Sequence, residues 1–155
     1  MSEIDITAGT VLSLVLGAPA TYDSAGFEAL TMIEVGEVGA IPEFGGEAQV
    51  GEFTPVKTGT VNKRPGSINY GSFTVPLAML YGDEGQDLCQ SGFDGANTRK
   101  VHSIGVEKAG VGAIYYTAVI TAYKFNLGDA NQISQASVTF NLTGKPLPVA
   151  AGAAV

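Results

Sequence analysis

A chain of 155 residues with a net charge of −7, one cysteine and one histidine suits a single domain large enough to bury its own core without a covalent staple. The lone cysteine excludes an internal disulfide, and the lone histidine excludes a zinc site of two or three histidines within one chain. The acid excess argues against gripping nucleic acid, which rests on lysine and arginine neutralising phosphates.

The N-terminus, MSEIDITAG, lacks the basic segment and apolar run of a signal peptide, and no stretch approaches the roughly 18 apolar residues of a membrane helix. The expectation is cytoplasmic synthesis, no export and no membrane insertion. Strands are expected at 10–17 (TVLSLVLG) and 28–36 (EALTMIEVG). Residues 36–66, GEVGAIPEFGGEAQVGEFTPVKTGTVNKRPG, are studded with glycine and proline and promise little burial. A structureless loop beyond about 12–15 residues is uncommon in a compact domain and is usually functional or disordered, so this one is expected to find its order outside the subunit. It also divides the charge. Nine acids, ending with Glu43, Glu47 and Glu52, precede the first base, Lys57, and Lys63 and Arg64 follow. Such asymmetry suits like subunits meeting head to tail, although solubility alone also accounts for it.

A further strand is expected over 67–80 (SINYGSFTVPLAML), which Pro76 should bend, end or confine to an edge, because it cannot donate to a ladder. The segment YGDEGQDLCQSGFDG is the one plausible helix, with Asp83 as N-cap, Glu84 and Asp87 near the positive end of its dipole, and Leu88 and Phe93 as inward anchors. After a strand at 98–108 come two long runs. In AIYYTAVITAYKFNL, Ile114, Tyr116, Ala118, Ile120 and Ala122 alternate with Tyr115, Thr117, Val119, Thr121 and Tyr123; in QISQASVTFNLTG, Ala136, Val138, Phe140 and Leu142 alternate with Gln135, Ser137, Thr139, Asn141 and Thr143. Turn-forming Gly128, Asp129, Ala130 and Asn131 join them into an antiparallel hairpin. Strands of a dozen residues reach about 40 Å, longer than a small sandwich needs. The ends, 1–8 and 145–155, are expected to be flexible or interaction tails.

Candidates for chemistry are few. Cys89 and His102 are a conceivable nucleophile and base, but nothing supplies the rest of such a site, and both read more simply as packing. Helix capping explains Asp83, Glu84 and Asp87 better than a cation site does, since their spacing is not that of a calcium loop. Gly110-Val111-Gly112 lacks the third glycine and following helix of a nucleotide loop. The NLT at 141–143 matches a glycosylation acceptor, but it lies in an expected strand of an unexported chain. No catalytic residue, metal or cofactor is expected.

The order of elements, with DEGQDL after an apolar strand and a closing VTFNLTG, resembles the major tail tube proteins of long-tailed bacteriophages over roughly residues 8 to 148. The resemblance implies a mainly β fold: an antiparallel β-sandwich or barrel subunit with one short flanking α-helix and a long inter-subunit loop. It further implies a virion structural role in which six copies close into a ring around a channel, the rings stack, and DNA passes through the lumen without specific binding. The implied partners are the chain itself and tape-measure, tail-tip and tail-terminator proteins. Closing a sheet across subunits removes exposed edges and leaves one strand face to line the channel. Gln135, Ser137, Thr139, Asn141 and Thr143 are assigned to that lining, joined by Thr117 and Thr121. Hydroxyls and amides keep such a wall hydrated, and this run carries no lysine or arginine to hold phosphate. Glu43, Glu47 and Glu52 of one subunit are expected to meet Lys57, Lys63 or Arg64 of another. Two rivals remain open at this point: a monomeric or trimeric β-sandwich binding or decoration module, and a type VI secretion-like tube carrying protein.

Overall fold

The computed structural model describes residues 7–95 and 99–150. After β1 (Val11–Leu16) the chain forms a short helix, α1 (Ser24–Glu28), and a two-residue strand, β2 (Ile33–Glu34). The strand expected over 28–36 is therefore cut to Ile33–Glu34, because Glu28 ends α1 and the chain turns at 29–30 before it reaches β1. Asp23 accepts a hydrogen bond from the Gly26 N–H at 2.8 Å and caps the helix. Phe27 is buried and stacks on Tyr115 with ring centroids 5.3 Å apart.

The expected structureless stretch, 36–66, has two parts. Residues 36–46 lie on the core, where Val38, Ile41 and Phe44 pack. The Phe44 ring sits 5.0 Å from that of Phe73 and 5.1 Å from that of Tyr116. Beyond them, β3 (Glu47–Phe53) and β4 (Asn62–Asn69) make a two-stranded antiparallel sheet of their own, and every residue of both strands is exposed. This hairpin is termed the arm. The strand expected over 67–80 is split by Gly71, whose φ of +72° suits a residue without a Cβ. One side of that break is β4, and the other is β5 (Ser72–Ala78) of the main sheet. There Pro76 sits on an edge strand, as expected. Its carbonyl accepts from Gly39 N–H at 2.8 Å on the outer side, so the missing donor costs the ladder nothing.

The helix α2 (Glu84–Asp94) starts at Asp83, whose carboxylate accepts from Gln86 N–H at 3.0 Å and from Gly36 N–H at 3.1 Å. Gln86 is buried, and its amide donates to the carbonyls of Gly36 and Ala78 and accepts from Leu80 N–H, pinning the helix to two loops. Its buried stripe is Gly85, Cys89 and Gly92. A Cβ on Gly85 would collide with the Glu34 carbonyl, and one on Gly92 would lie 2.6 Å from Ile120 Cδ1. Small residues at this spacing bring the helix close to the sheet. Leu88 packs against the core as expected, but Phe93 is exposed, because it follows Gly92 by one residue and so turns about 100° away.

The rest of the main sheet is β6 (Val101–Lys108), β7 (Gly112–Asn126), β8 (Gln135–Leu142) and β9 (Leu147–Ala150). The order is β2-β1-β6-β7-β8-β5, with every neighbouring pair antiparallel and β9 beside the first residues of β7. The tail was expected to project or fray, yet 147–150 are a strand; 1–6 and 151–155 lie outside the described residues. The reason is a length mismatch. β7 has 15 residues against 8 in β8, and β9 pairs with the segment Gly112–Tyr115 that β8 does not reach. On the core face Leu14, Ile104, Tyr116, Ala118, Ile120, Val138 and Phe140 lie under α2 and the 35–44 segment. The other face is covered over Tyr115 and Gly105 by Phe27 and Met32. It stays open farther along, across β5, β8 and the end of β7.

Candidate functional site: an open polar sheet face and an exposed arm

The open face is built by alternation. In β8, Ala136, Val138, Phe140 and Leu142 are buried while Gln135, Ser137, Thr139 and Asn141 turn outward. On one flank β5 sets Ser72 opposite Asn141 and Thr74 opposite Thr139, whose hydroxyls lie 2.9 Å apart. These two β5 residues were missed at the sequence level, though the alternation in SFTVPLA carries the signal. On the other flank the register between β7 and β8 jumps from Ile120 opposite Phe140 to Ala122 opposite Thr139, a β-bulge at Thr121.

That bulge changes which residues face out. Ala122 does not continue the core row of Tyr116, Ala118 and Ile120; Tyr123, opposite Val138, packs on the core instead. Lys124 turns onto the open face opposite Ser137. β8 carries no lysine or arginine, as noted from the sequence, but its neighbour supplies one. The slip was visible in the apolar phase, which runs 116, 118, 120 and then 123, 125, 127. Thr121 is exposed and its hydroxyl accepts from Asn141 Nδ2 at 2.8 Å. Thr143 is exposed just past β8. Thr117 differs from its expected place on the open surface: it is buried, its hydroxyl 2.9 Å from that of Thr143, and the Tyr22 hydroxyl, which donates to the Lys145 carbonyl at 2.6 Å, closes over this corner.

The charged candidates cluster on and beside the arm. Glu43 precedes it, Glu47 and Glu52 lie on β3, Lys63 and Arg64 on β4, and Lys57 in the turn between the strands. Glu52 and Lys63 are opposed in register and meet at 3.8 Å within one chain. An exposed pair of this kind contributes about 0–1 kcal/mol, so both partners stay available for other contacts. Val50, Phe53, Val56, Val61 and Ile68 of the same arm are exposed apolar side chains. A lone two-stranded hairpin is marginal in water, and this one has no face of its own to bury.

Burial raises the Cys89 thiol to about 12, which leaves no useful thiolate at neutral pH. His102 is also buried; desolvation holds its pKa below the ordinary imidazole value, and its Nδ1 lies 3.0 Å from the Lys100 carbonyl oxygen. Both side chains are fully enclosed, with no exposed surface for a substrate to reach. Among the described residues no helix is long and apolar enough to cross a membrane.

No protein-family model matches the sequence, and a search of curated proteins gives no match. Solved structures do match the fold. A chain of the anti-feeding prophage baseplate, resolved with 6-fold symmetry, superposes with a TM-score of 0.72 at 8% identity over 100% of both chains. A chain from the tail of an empty gene transfer agent particle, refined with C6 symmetry, gives 0.64 at 14% identity over 93% of this chain and 98% of that one. The tail tube of SPP1 gives 0.58 at 15% identity, covering 92% of this chain and 77% of that one. The chain is mainly β and antiparallel, and it shares its fold with the SPP1 tail tube and with these chains from the baseplate and tail of phage-like particles.

Proposed function

We propose that this chain is a non-enzymatic virion structural subunit that closes with five copies of itself into a ring, the rings stacking head to tail into a tube. One observation carries the reading. A chain with a tail-tube fold leaves a polar strand face and an apolar, charged arm uncovered at the same time. Lateral closure places the open face of β5, β8 and the end of β7 around a channel and pairs the sheet edges that a monomer exposes. The lining is then Ser72, Thr74, Gln135, Ser137, Thr139 and Asn141 with Thr121, Thr143 and Lys124 beside them. Its groups are neutral apart from that lysine, so DNA passes a hydrated wall that holds few phosphates. The arm joins successive rings, with Glu43, Glu47 and Glu52 against Lys57, Lys63 or Arg64 of another copy. Tape-measure, tail-tip and tail-terminator proteins are the expected partners, and the tail of a virion the expected location.

Electron microscopy of the purified chain at high concentration tests this reading. Rings or filaments with an axial hole are expected, and a protein that stays monomeric throughout sinks it. Thr139→Lys should leave assembly intact while lowering DNA delivery by the particle. Unchanged delivery would remove the lumen assignment alone.

A further inference from the structure

A groove of about 420 Å³ opens between the start of α2 and the far end of β7. Leu80, Tyr81, Phe125 and Leu127 line it and are all exposed, with Asp87 at its rim. Grouped exposed apolar side chains on a small protein mark an interaction surface. The bulge at Thr121 helps create this one, because it moves Phe125 to the α2 side of the sheet and Lys124 to the opposite side. The surroundings are acidic: residues 65–98 contain Asp83, Glu84, Asp87 and Asp94 and no lysine or arginine.

The outer half of the arm has the complementary character. Residues 53–66 contain Lys57, Lys63 and Arg64 and no acid. Phe53 and Val56 stand beside Lys57, and Val56 is fully exposed. The strand Glu47–Phe53 carries this tip about 20 Å from the root of the arm, and every residue along it is exposed.

We propose that the groove between α2 and β7 receives the arm tip of a second copy of this chain, with Phe53 and Val56 inserted among Leu80, Tyr81, Phe125 and Leu127 and with Lys57 beside Asp87. The inference rests on the tube reading and names the receptor surface for its arm. A heterologous contact of this kind, tip into groove, leaves each copy with a free groove and a free tip, and so propagates. It also covers an apolar surface that would otherwise face water on each subunit.

Cysteine cross-linking tests it. Val56→Cys and Tyr81→Cys proteins, each folded by circular dichroism, are mixed, assembled and oxidised; native Cys89 is buried and its thiol is pushed up to about 12, so it does not compete. A disulfide-linked dimer that forms in the mixture and in neither protein alone is expected. Assembly without that dimer overturns the groove while leaving the tube standing, whereas a wild-type chain that never assembles overturns both. In a second arm, Lys57→Glu and Asp87→Lys should each raise the concentration at half-assembly, by a few-fold to about tenfold, and the double variant should recover much of the loss. No effect of either single change would count against the charge pairing and the placement of the tip.

Discussion

The main sheet and the arm are both antiparallel ladders, yet they stand on different physical footings. In β7 and β8 the hydrogen bonds are backed by Tyr116, Ala118, Ile120, Val138 and Phe140, all buried beneath α2 and the 35–44 segment. In β3 and β4 the ladder has no buried side at all. Backbone pairing by itself exchanges water for protein partners at a small net gain, about 1 kcal/mol per bond, while ordering each residue costs about as much or more. What separates the two regions is apolar burial. The sheet has a core within one chain, and the arm has none.

Equal chemistry placed in the two regions is the sharpest way to break that comparison. Phe140→Ala should cost about 3–5 kcal/mol, read from the shift in a urea or guanidinium midpoint, whereas Phe53→Ala on the arm should stay within about 0.5 kcal/mol in the monomer. Similar losses at both sites would erase the distinction. Next in size, Gly85→Ala should destabilise by about 1–3 kcal/mol, because the added methyl meets the Glu34 carbonyl and α2 has to lift from the sheet. Thermal unfolding checks this, and an unchanged midpoint would mean that the helix is not held so close.

A third effect follows pH. His102 is buried, Nε2 has no hydrogen-bond partner among the described residues, and burial lowers its pKa. The unfolded chain takes up a proton at about 6.5, while the folded one resists. Stability is therefore full above that value and falls as pH drops below it, with a slope under the about 1.4 kcal/mol per pH unit that one proton sets. His102→Gln should flatten that part of the pH profile; a profile unchanged by the substitution would show that the imidazole does not carry it. Small as well, removing the arm by joining residues 46 and 70 through a short linker should alter monomer stability by less than about 1 kcal/mol. Amide exchange is the companion measurement. In the monomer the amides of β3 and β4 should exchange well before those of β7 and β8, and become protected only on assembly. Strong protection of the arm in an isolated monomer would contradict its dependence on a partner.

Much of this was legible from residue pattern. The period of two in 135–142 placed a polar face and a buried face correctly, Asp83 announced the start of α2, and Pro76 left a bend, an end or an edge, of which the edge is found. The failures share a cause. Phe27, just ahead of the strand expected over 28–36, was given no role because its partner, Tyr115, lies far away in sequence. Val38, Ile41 and Phe44 were lost among glycines and prolines, because three apolar residues without a period reveal nothing until a core exists for them to close. Thr117 looked like its hydroxyl neighbours, but Tyr22 and the chain near Lys145 cover it.

By itself the sequence determined the local matters: which strands have two unlike faces, where α2 is capped and where the charge changes sign. Only the tertiary structure decided the rest: the one-residue slip at Thr121 that exchanges the faces of Tyr123 and Lys124, the split of 36–66 into a half-buried segment packed on the core and a naked hairpin, and the groove beside α2. The physical reason is that alternation and capping are set between near neighbours, whereas register and burial depend on which distant segment arrives to pair or pack.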